Sequence, residues 1–212
     1  MEIKGIIFDL DGVILSTDDF HYQAWKSLAT RLGIPFDREK NNRLRGVSRL
    51  ASLEIVLEGY HFSDEDKNAF AEEKNNTYRE LLNNLTPESV SEDTRDTLDE
   101  LKRRGYKIAI GSSSKNTKLI LSRVGLLNAF DAIADGEDIK KSKPDPEVFL
   151  VAAKRLGLNP TNCVVVEDAF AGIEAAIAGG FLPVAIGDAT NCQSVEYKLN
   201  KLSDILMFDF LK

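Results

Sequence analysis

Ile3-Lys4-Gly5-Ile6-Ile7-Phe8-Asp9-Leu10-Asp11-Gly12, near the start of the 212-residue chain, decides how the remainder is read. Ile3–Phe8 has the length and branched apolar content of a buried strand. The run then breaks into two aspartates, two positions apart, and a glycine. Period-two geometry puts Asp9 and Asp11 on the same side of the chain as it leaves the strand, with Leu10 turned away. Strand C-terminal ends are where open α/β sheets bind ligands. Adjacent carboxylates repel each other, so ionising both favours a cation or a shared proton, and a hard Mg²⁺ suits oxygen ligands. One aspartate could then attack a phosphorus atom while its neighbour handles protons. An acidic loop pair that caps the following helix fits the same residues, and on this motif alone both readings stand.

Working outward, further apolar runs repeat the strand signal at Tyr106–Ile110, Ala132–Ala134, Cys163–Val166 and Leu182–Ile186, with Ile205–Phe208 as a possible sixth strand. None alternates apolar with polar residues, so both faces are expected to be covered, as in a parallel sheet. Between the runs lie helical patterns. Asp93–Arg104 places Leu98 and Leu101 on one face, with Ser91 positioned to cap it and Glu92 and Asp93 in its first turn. Arg123-Val124-Gly125-Leu126 and Arg155-Leu156-Gly157-Leu158 read as helix ends, each with a cation, a glycine free to turn left-handed and an apolar residue after it. Pro144 and Pro146 stand where a helix through Phe149 and Leu156 would begin. The order after residue 90 is βαβ, which predicts a doubly wound, parallel-sheet (Rossmann-like) α/β fold.

One interval breaks the alternation. Roughly 95 residues separate Asp9 from Tyr106, whereas a crossover needs only a dozen or so. The helix ahead of Tyr106 serves as the crossover. The rest carries helical stretches at Phe20–Leu32, Leu50–Leu57 and Asp64–Leu82 and no good strand. The expected organisation is an α/β catalytic core of residues 1–16 and 87–212, with a helical cap of residues 17–86 inserted after the first strand.

Composition sets the outer bounds. Hydrophobic residues at 43% and charged residues at 29% are ordinary for a soluble globular chain and exclude disordered, collagenous and fibrous classes. At this length well over half of the unfolded surface can be buried without a metal or disulfide staple. The two cysteines, Cys163 and Cys192, make no framework, and Cys163 opens an apolar run as a small hydrophobe. With 27 basic against 34 acidic residues the net charge is −7, which disfavours nucleic acid and anionic lipid while leaving room for a local basic pocket. There is no run of about 18 apolar residues and no signal-peptide pattern, so a cytoplasmic protein without membrane or nucleic-acid partners is expected.

Three more signals fall on the same sheet edge. Gly111-Ser112-Ser113-Ser114-Lys115-Asn116 follows a strand and leads into a helix, where hydroxyls and backbone N–H groups form an anion site; plain N-capping explains any one of these serines equally well. Lys143-Pro144 sits in a polar loop before a helix, as surface lysines commonly do. Glu167-Asp168 ends the apolar run Val164-Val165-Val166, a costly place for acids unless a cation meets them. Acids are also welcome at the start of the helix that follows. The order of all four along consecutive strand ends carries more than any one of them.

In that order, Asp9-Leu10-Asp11-Gly12, Ser112, Lys143-Pro144 and Glu167-Asp168 resemble the four motifs of the haloacid dehalogenase-like superfamily, over nearly the whole chain. Gly12-Val13-Ile14, His21, Ala24-Trp25-Lys26, Arg45-Gly46-Val47-Ser48-Arg49, Lys74-Asn75, Ser114-Lys115-Asn116 and Ser142-Lys143-Pro144 resemble its β-phosphoglucomutase branch more particularly. The resemblance implies that Asp9 is a nucleophile that becomes an aspartyl phosphate. Asp11 is then the general acid/base toward the sugar hydroxyl and lends its backbone carbonyl to Mg²⁺. Asp168 ligates the metal, and Glu167 ligates it or holds a metal water, so the implied metal set is Asp9, Asp11, Glu167 and Asp168. Ser112 and Lys143 bind the transferring phosphoryl, and Arg49 the distal phosphate. His21 and Lys74 contact the sugar or help gate Asp9, while Trp25, Arg45, Gly46, Val47, Ser48, Ser113 and Asn116 line the substrate site. By spacing alone, Arg49 is a surface arginine at a helix start, a histidine placed like His21 is more often structural than catalytic, and Trp25, four residues on, fits cap core equally well.

The implied activity is Mg²⁺-dependent interconversion of β-glucose 1-phosphate and glucose 6-phosphate, with glucose 1,6-bisphosphate as priming intermediate, by a monomer whose partner is the phosphosugar. Phosphoryl transfer needs positioning and charge neutralisation above all, and a bisphosphate has two anionic ends, so a second cationic site such as Arg49 is required. A sugar-phosphate phosphatase has the same core with water as acceptor. A non-catalytic phosphorylated regulator shares the sheet and acidic pocket, but has no use for the cap or for Asp11. Ser16, where the family has an acidic residue, and Leu50-Ala51, where it has a polar pair, depart from the pattern, and the stretch after Gly187 matches weakly.

Overall fold

The computed structural model describes residues 2–44 and 47–211. Its centre is a six-stranded sheet of β1 (Gly5–Phe8), β2 (Lys107–Gly111), β3 (Ala132–Ala134), β4 (Cys163–Glu167), β5 (Leu182–Ala185) and β6 (Tyr197–Lys198), in the order β3-β2-β1-β4-β5-β6. Every pairing is parallel. The chain steps outward from β1 to β3 and then returns to the other side of β1 at β4. That reversal opens a crevice at the C-terminal ends of β1 and β4.

The period-two alternation of each strand explains the two covered faces. Ile6, Phe8, Ile108, Ile110, Val164 and Val166 face a core shared with Leu98 and Leu101 of α5 (Glu92–Arg103) and Ile120 and Leu121 of α6 (Thr117–Arg123). Ile7, Ala109 and Val165 face the opposite core, with Phe149 and Ala152 of α7 (Glu147–Leu156) and Ala175 and Ala176 of α8 (Phe170–Ala178). Ser91 caps α5 as expected, accepting the Thr94 N–H at 3.1 Å. Gly157 turns left-handed at φ 69° after α7, and Leu158 N–H returns to the Ala153 carbonyl.

The sixth strand departs from expectation. Of Ile205–Phe208, residues 205–207 lie not in the sheet but in a 3₁₀ helix, Leu202–Met207, with Phe208 extended just beyond it, and Tyr197–Lys198 pairs with β5 instead. Leu202 and Ile205, three apart, are the residues this turn buries, a spacing that eclipses on a 3₁₀ helix. The Asp204 carboxylate fixes its start by accepting the N–H groups of Asn200 and Lys201.

Between β1 and α5 the chain forms a helical cap of α1 (Asp18–Arg31), α2 (Arg38–Asn42), α3 (Arg49–Val56) and α4 (Asp64–Leu81). The cap has its own core of Trp25, Leu28, Ile34, Phe36, Leu53, Val56 and Leu57. Tyr78 and Leu82, at the far end of the insert, pack into the sheet's core rather than the cap's. Among the described residues no helix is long and apolar enough to cross a membrane.

Candidate active site

The crevice is built from strand ends. Asp9 N–H donates to the Val166 carbonyl at 2.9 Å, so β1 and β4 stay paired for one more residue and bring Asp9 level with Glu167. Lys143, 134 residues along the chain from Asp9, reaches in from the loop before α7. Its Nζ donates to Asp9 Oδ1 at 2.5 Å and to Glu167 Oε1, and the side chain is buried. Glu167 Oε2 accepts the Ala169 N–H at 2.8 Å. Burial alone would lower the Lys143 amine, but Asp9 and Glu167 outweigh it and hold the amine above its usual value.

Asp9, Glu167 and Asp168 each offer a carboxylate oxygen, all within 4.8 Å of one another. The crowding has a cost in charge: burial first, then Glu167, Asp9 and Asp11, push Asp168 up to about 8, and burial also raises Glu167. A set of hard oxygen donors whose charges oppose one another fits a divalent cation such as Mg²⁺. Two glycines allow the packing. Gly12, at φ 87°, has Asp168 where a side chain would stand, and a Cβ on Gly172 would fall on the Glu167 carboxylate.

Asp11 leaves the same strand end but its carboxylate faces the cap. Thr17 donates its N–H to Oδ1 at 2.6 Å and its hydroxyl to Oδ2 at 2.7 Å. The Tyr78 hydroxyl lies 2.8 Å from that of Thr17. Asp11 is pushed up to about 6, burial outweighing the two Thr17 bonds, with Asp9 and Asp18 adding to the rise. His21 Nε2 stands 3.8 Å from Asp11 Oδ2, and its ring stacks on Tyr78 with centroids 4.0 Å apart.

Lys74 completes this side. Its Nζ is 2.8 Å from His21 Nδ1 and sits over the rings of Trp25 at 4.8 Å and Tyr78 at 4.5 Å. Burial, then the nearby Arg49, lowers Lys74 to about 7. Burial, Lys74 and Arg49 hold His21 well below the usual histidine range. With Nδ1 accepting from Lys74, a neutral His21 carries its proton on Nε2, toward Asp11.

The remaining expected residues divide. Arg49 is half-buried at the first turn of α3, where desolvation lowers its pKa. Ser48 caps that helix by accepting the Ala51 N–H, and Val47 adjoins it. Trp25 is buried in the cap core, its ring one wall of the Lys74 site. Ser112 is buried and accepts the Ser114 N–H, and the Ser113 hydroxyl is buried without a hydrogen-bond partner. Asn116 bonds Asn75 of α4 at 3.0 Å, tying the core loop to the cap. Arg45 and Gly46 lie outside the described residues. No motif or spacing in the sequence assigns a role to Thr17 or Tyr78. Thr17 precedes a helix and looks like its cap, yet its side chain makes no cap bond and serves Asp11 instead.

The chain is similar to known proteins over most of its length. A profile described as haloacid dehalogenase-like hydrolase matches residues 3–180. A β-phosphoglucomutase of Bacillus subtilis (strain 168) is 38% identical over 209 residues, 97% of this chain and 92% of that one. A fructose-1-phosphate phosphatase of Escherichia coli (strain K12) is 34% identical over 186 residues, 83% and 92% of the respective chains. The crystal structure of a β-phosphoglucomutase from Clostridium difficile superposes with a TM-score of 0.90 at 39% identity, covering 96% of this chain and 93% of that one.

Proposed function

Because the chain belongs to the haloacid dehalogenase-like hydrolase family, we propose that its crevice transfers phosphoryl groups between positions of a sugar phosphate, converting β-glucose 1-phosphate to glucose 6-phosphate through a glucose 1,6-bisphosphate. The observation that carries this reading is the division of the two aspartates. Asp9 stands with Lys143 and the acids of β4, while Asp11 stands with Thr17 and His21 at the cap.

In this reading residues 17–86 close over a core of 1–16 and 87–212, and Asp9 is the nucleophile. Its carboxylate oxygen bonds to phosphorus as the bond from phosphorus to the donor sugar oxygen breaks. Lys143 supplies fixed positive charge where the phosphoryl oxygens gather negative charge, and Ser112 offers its hydroxyl beside it. Asp9, Glu167, Asp168 and the Asp11 carbonyl would hold Mg²⁺, which when bound screens the carboxylates and the phosphoryl from one another. Asp11 takes the proton of the sugar hydroxyl that attacks phospho-Asp9, and a 1,6-bisphosphate forms. Turned end for end, that intermediate returns its other phosphoryl to Asp9, with Arg49 gripping the distal phosphate. Trp25, Val47, Ser48, Ser113, Asn116, His21 and Lys74 surround the sugar.

The test is a coupled assay with Mg²⁺, β-glucose 1-phosphate and a trace of glucose 1,6-bisphosphate, reading glucose 6-phosphate and free phosphate together. Glucose 6-phosphate with little free phosphate supports the mutase. Stoichiometric free phosphate refutes it in favour of a sugar-phosphate phosphatase, the activity named for the Escherichia coli relative. Asp9→Asn is expected to take up no phosphoryl, and turnover by that variant would remove Asp9 as nucleophile.

A further inference from the structure

We propose that Tyr78 is a positioning residue: its hydroxyl orients Thr17 so that Asp11 stays turned away from Asp9, which protects the aspartyl phosphate from water. The inference rests on the phosphoenzyme reading above and adds a residue to it.

The direction of the hydrogen bonds carries the argument. A threonine hydroxyl has one hydrogen, and that of Thr17 goes to Asp11 Oδ2 at 2.7 Å. The 2.8 Å contact between Thr17 and Tyr78 must therefore have Tyr78 as donor. The result is a directed chain from Tyr78 through Thr17 to Asp11, in which each bond polarises the next. Thr17 also gives its N–H to Oδ1 at 2.6 Å, so both carboxylate oxygens are occupied by one residue. Each oxygen keeps a second lone pair, but the two bonds fix the carboxylate toward Thr17, and it can turn to Asp9 only when Thr17 lets go.

Tyr78 is well placed to hold this arrangement. It is 1% exposed, its ring lies in the sheet's core cluster with Ala24 and Leu82, and His21 stacks on it. Burial raises its hydroxyl far above the usual tyrosine value, which keeps the donor proton in place. Thr17 is where the chain leaves the core for the cap, and Tyr78 lies 61 residues later on α4. Their bond is a joint across the hinge, and it reports the position of α4 to Asp11.

Without that joint, Asp11 visits Asp9 more often. A water there would form the new O–P bond while the O–P bond to Asp9 breaks. Asp11 would take the water's proton, and the products would be inorganic phosphate and the free Asp9 carboxylate. The experiment primes the full-length protein with glucose 1,6-bisphosphate in Mg²⁺, removes the sugar, and follows loss of the phosphoryl by intact-protein mass spectrometry. Tyr78→Phe is expected to lose it about fivefold faster, which at about 1.4 kcal/mol per tenfold is about 1 kcal/mol, the net worth of one hydrogen bond. Thr17→Val should be accelerated too, and Tyr78→Phe in that background should add nothing, since no hydroxyl is left to orient. A purely structural tyrosine would speed decay equally in both backgrounds, and that result overturns the proposal, as does a wild-type lifetime in Tyr78→Phe. p-Aminophenylalanine at position 78 keeps a donor and is expected to restore the wild-type lifetime; a folded protein in which it does not also overturns the proposal. A wild-type chain that releases phosphate from sugar phosphates without making glucose 6-phosphate refutes the mutase alone, and the decay comparison still decides the role of Tyr78. If wild type takes no phosphoryl onto Asp9, both fall before any variant is compared.

Discussion

Replacing Lys74 with methionine should remove a pH dependence of stability that the wild-type chain owes to one buried amine. Lys74 is 3% exposed between the rings of Trp25 and Tyr78, and its pKa falls from 10.5 to about 7. The unfolded chain restores the ordinary value, so between about pH 7 and 10.5 the unfolded state binds a proton that the folded state has released. Stability must then rise with pH across that window, and the penalty for charging the amine is fully present only below about pH 7. At about 1.36 kcal/mol per pKa unit, the interval from pH 7 to pH 9 is worth at most about 2.7 kcal/mol. Because the folded amine is already half neutral at pH 7, about 2 kcal/mol of that remains. Methionine keeps the unbranched apolar stem and has nothing to titrate. Urea unfolding of both proteins in EDTA at pH 7, 8 and 9 gives the difference directly, since groups common to both cancel. His21, already neutral at pH 7, drops out of the window. Wild type should gain about 2 kcal/mol on Lys74→Met between the two ends. Parallel stability curves would refute the assignment of a neutral amine to this site.

Lys143→Met removes the cation that meets Asp9 and Glu167 in the crevice and should lower stability by about 3–5 kcal/mol in metal-free denaturation, the usual cost of stripping one partner from a buried ion pair; a loss under about 1 kcal/mol would mean the acids are not charged there. Arg49→Ala should raise KM for β-glucose 1-phosphate by about 10- to 100-fold, the worth of a charged hydrogen bond to the distal phosphate, with phosphorylation of Asp9 by a small phosphoryl donor unchanged. Gly172→Ala places a methyl group on the Glu167 carboxylate, so Mg²⁺ affinity by calorimetry should fall about 10- to 100-fold, as for loss of other groups that orient a metal ligand. Unchanged affinity would show that α8 can retreat from Glu167.

Much of this was legible in the chain because strands and their ends are local. Gly5–Phe8 and Cys163–Glu167 announce themselves as short apolar runs that break into acids, and pairing them in the sheet brings Asp9 to Glu167. Lys143 is different. As a lysine before a proline it says little, and it gains meaning only from its order among the strand ends. The misread segment, Ile205–Phe208, failed because four apolar residues suit a strand and a 3₁₀ turn equally, and the choice was made by Asp204 and by burial against α5. Thr17 and Tyr78, and the bond that Asn75 makes to Asn116, were out of reach for another reason. Their bonds join residues 61 and 41 positions apart, across the seam between cap and core, and no periodicity records such a pairing. The same limit applies to Asp11. Period-two geometry puts it on the side of Asp9, but its rotamer is chosen by two donors of Thr17 at the hinge. A motif of two carboxylates thus acquires its division of labour from outside itself. The sheet holds Asp9 in fixed company with Lys143 and Glu167, while Asp11 is held by Thr17, where the insert begins; on the proposed mechanism, covalent chemistry is set by topology and proton transfer by the position of the insert.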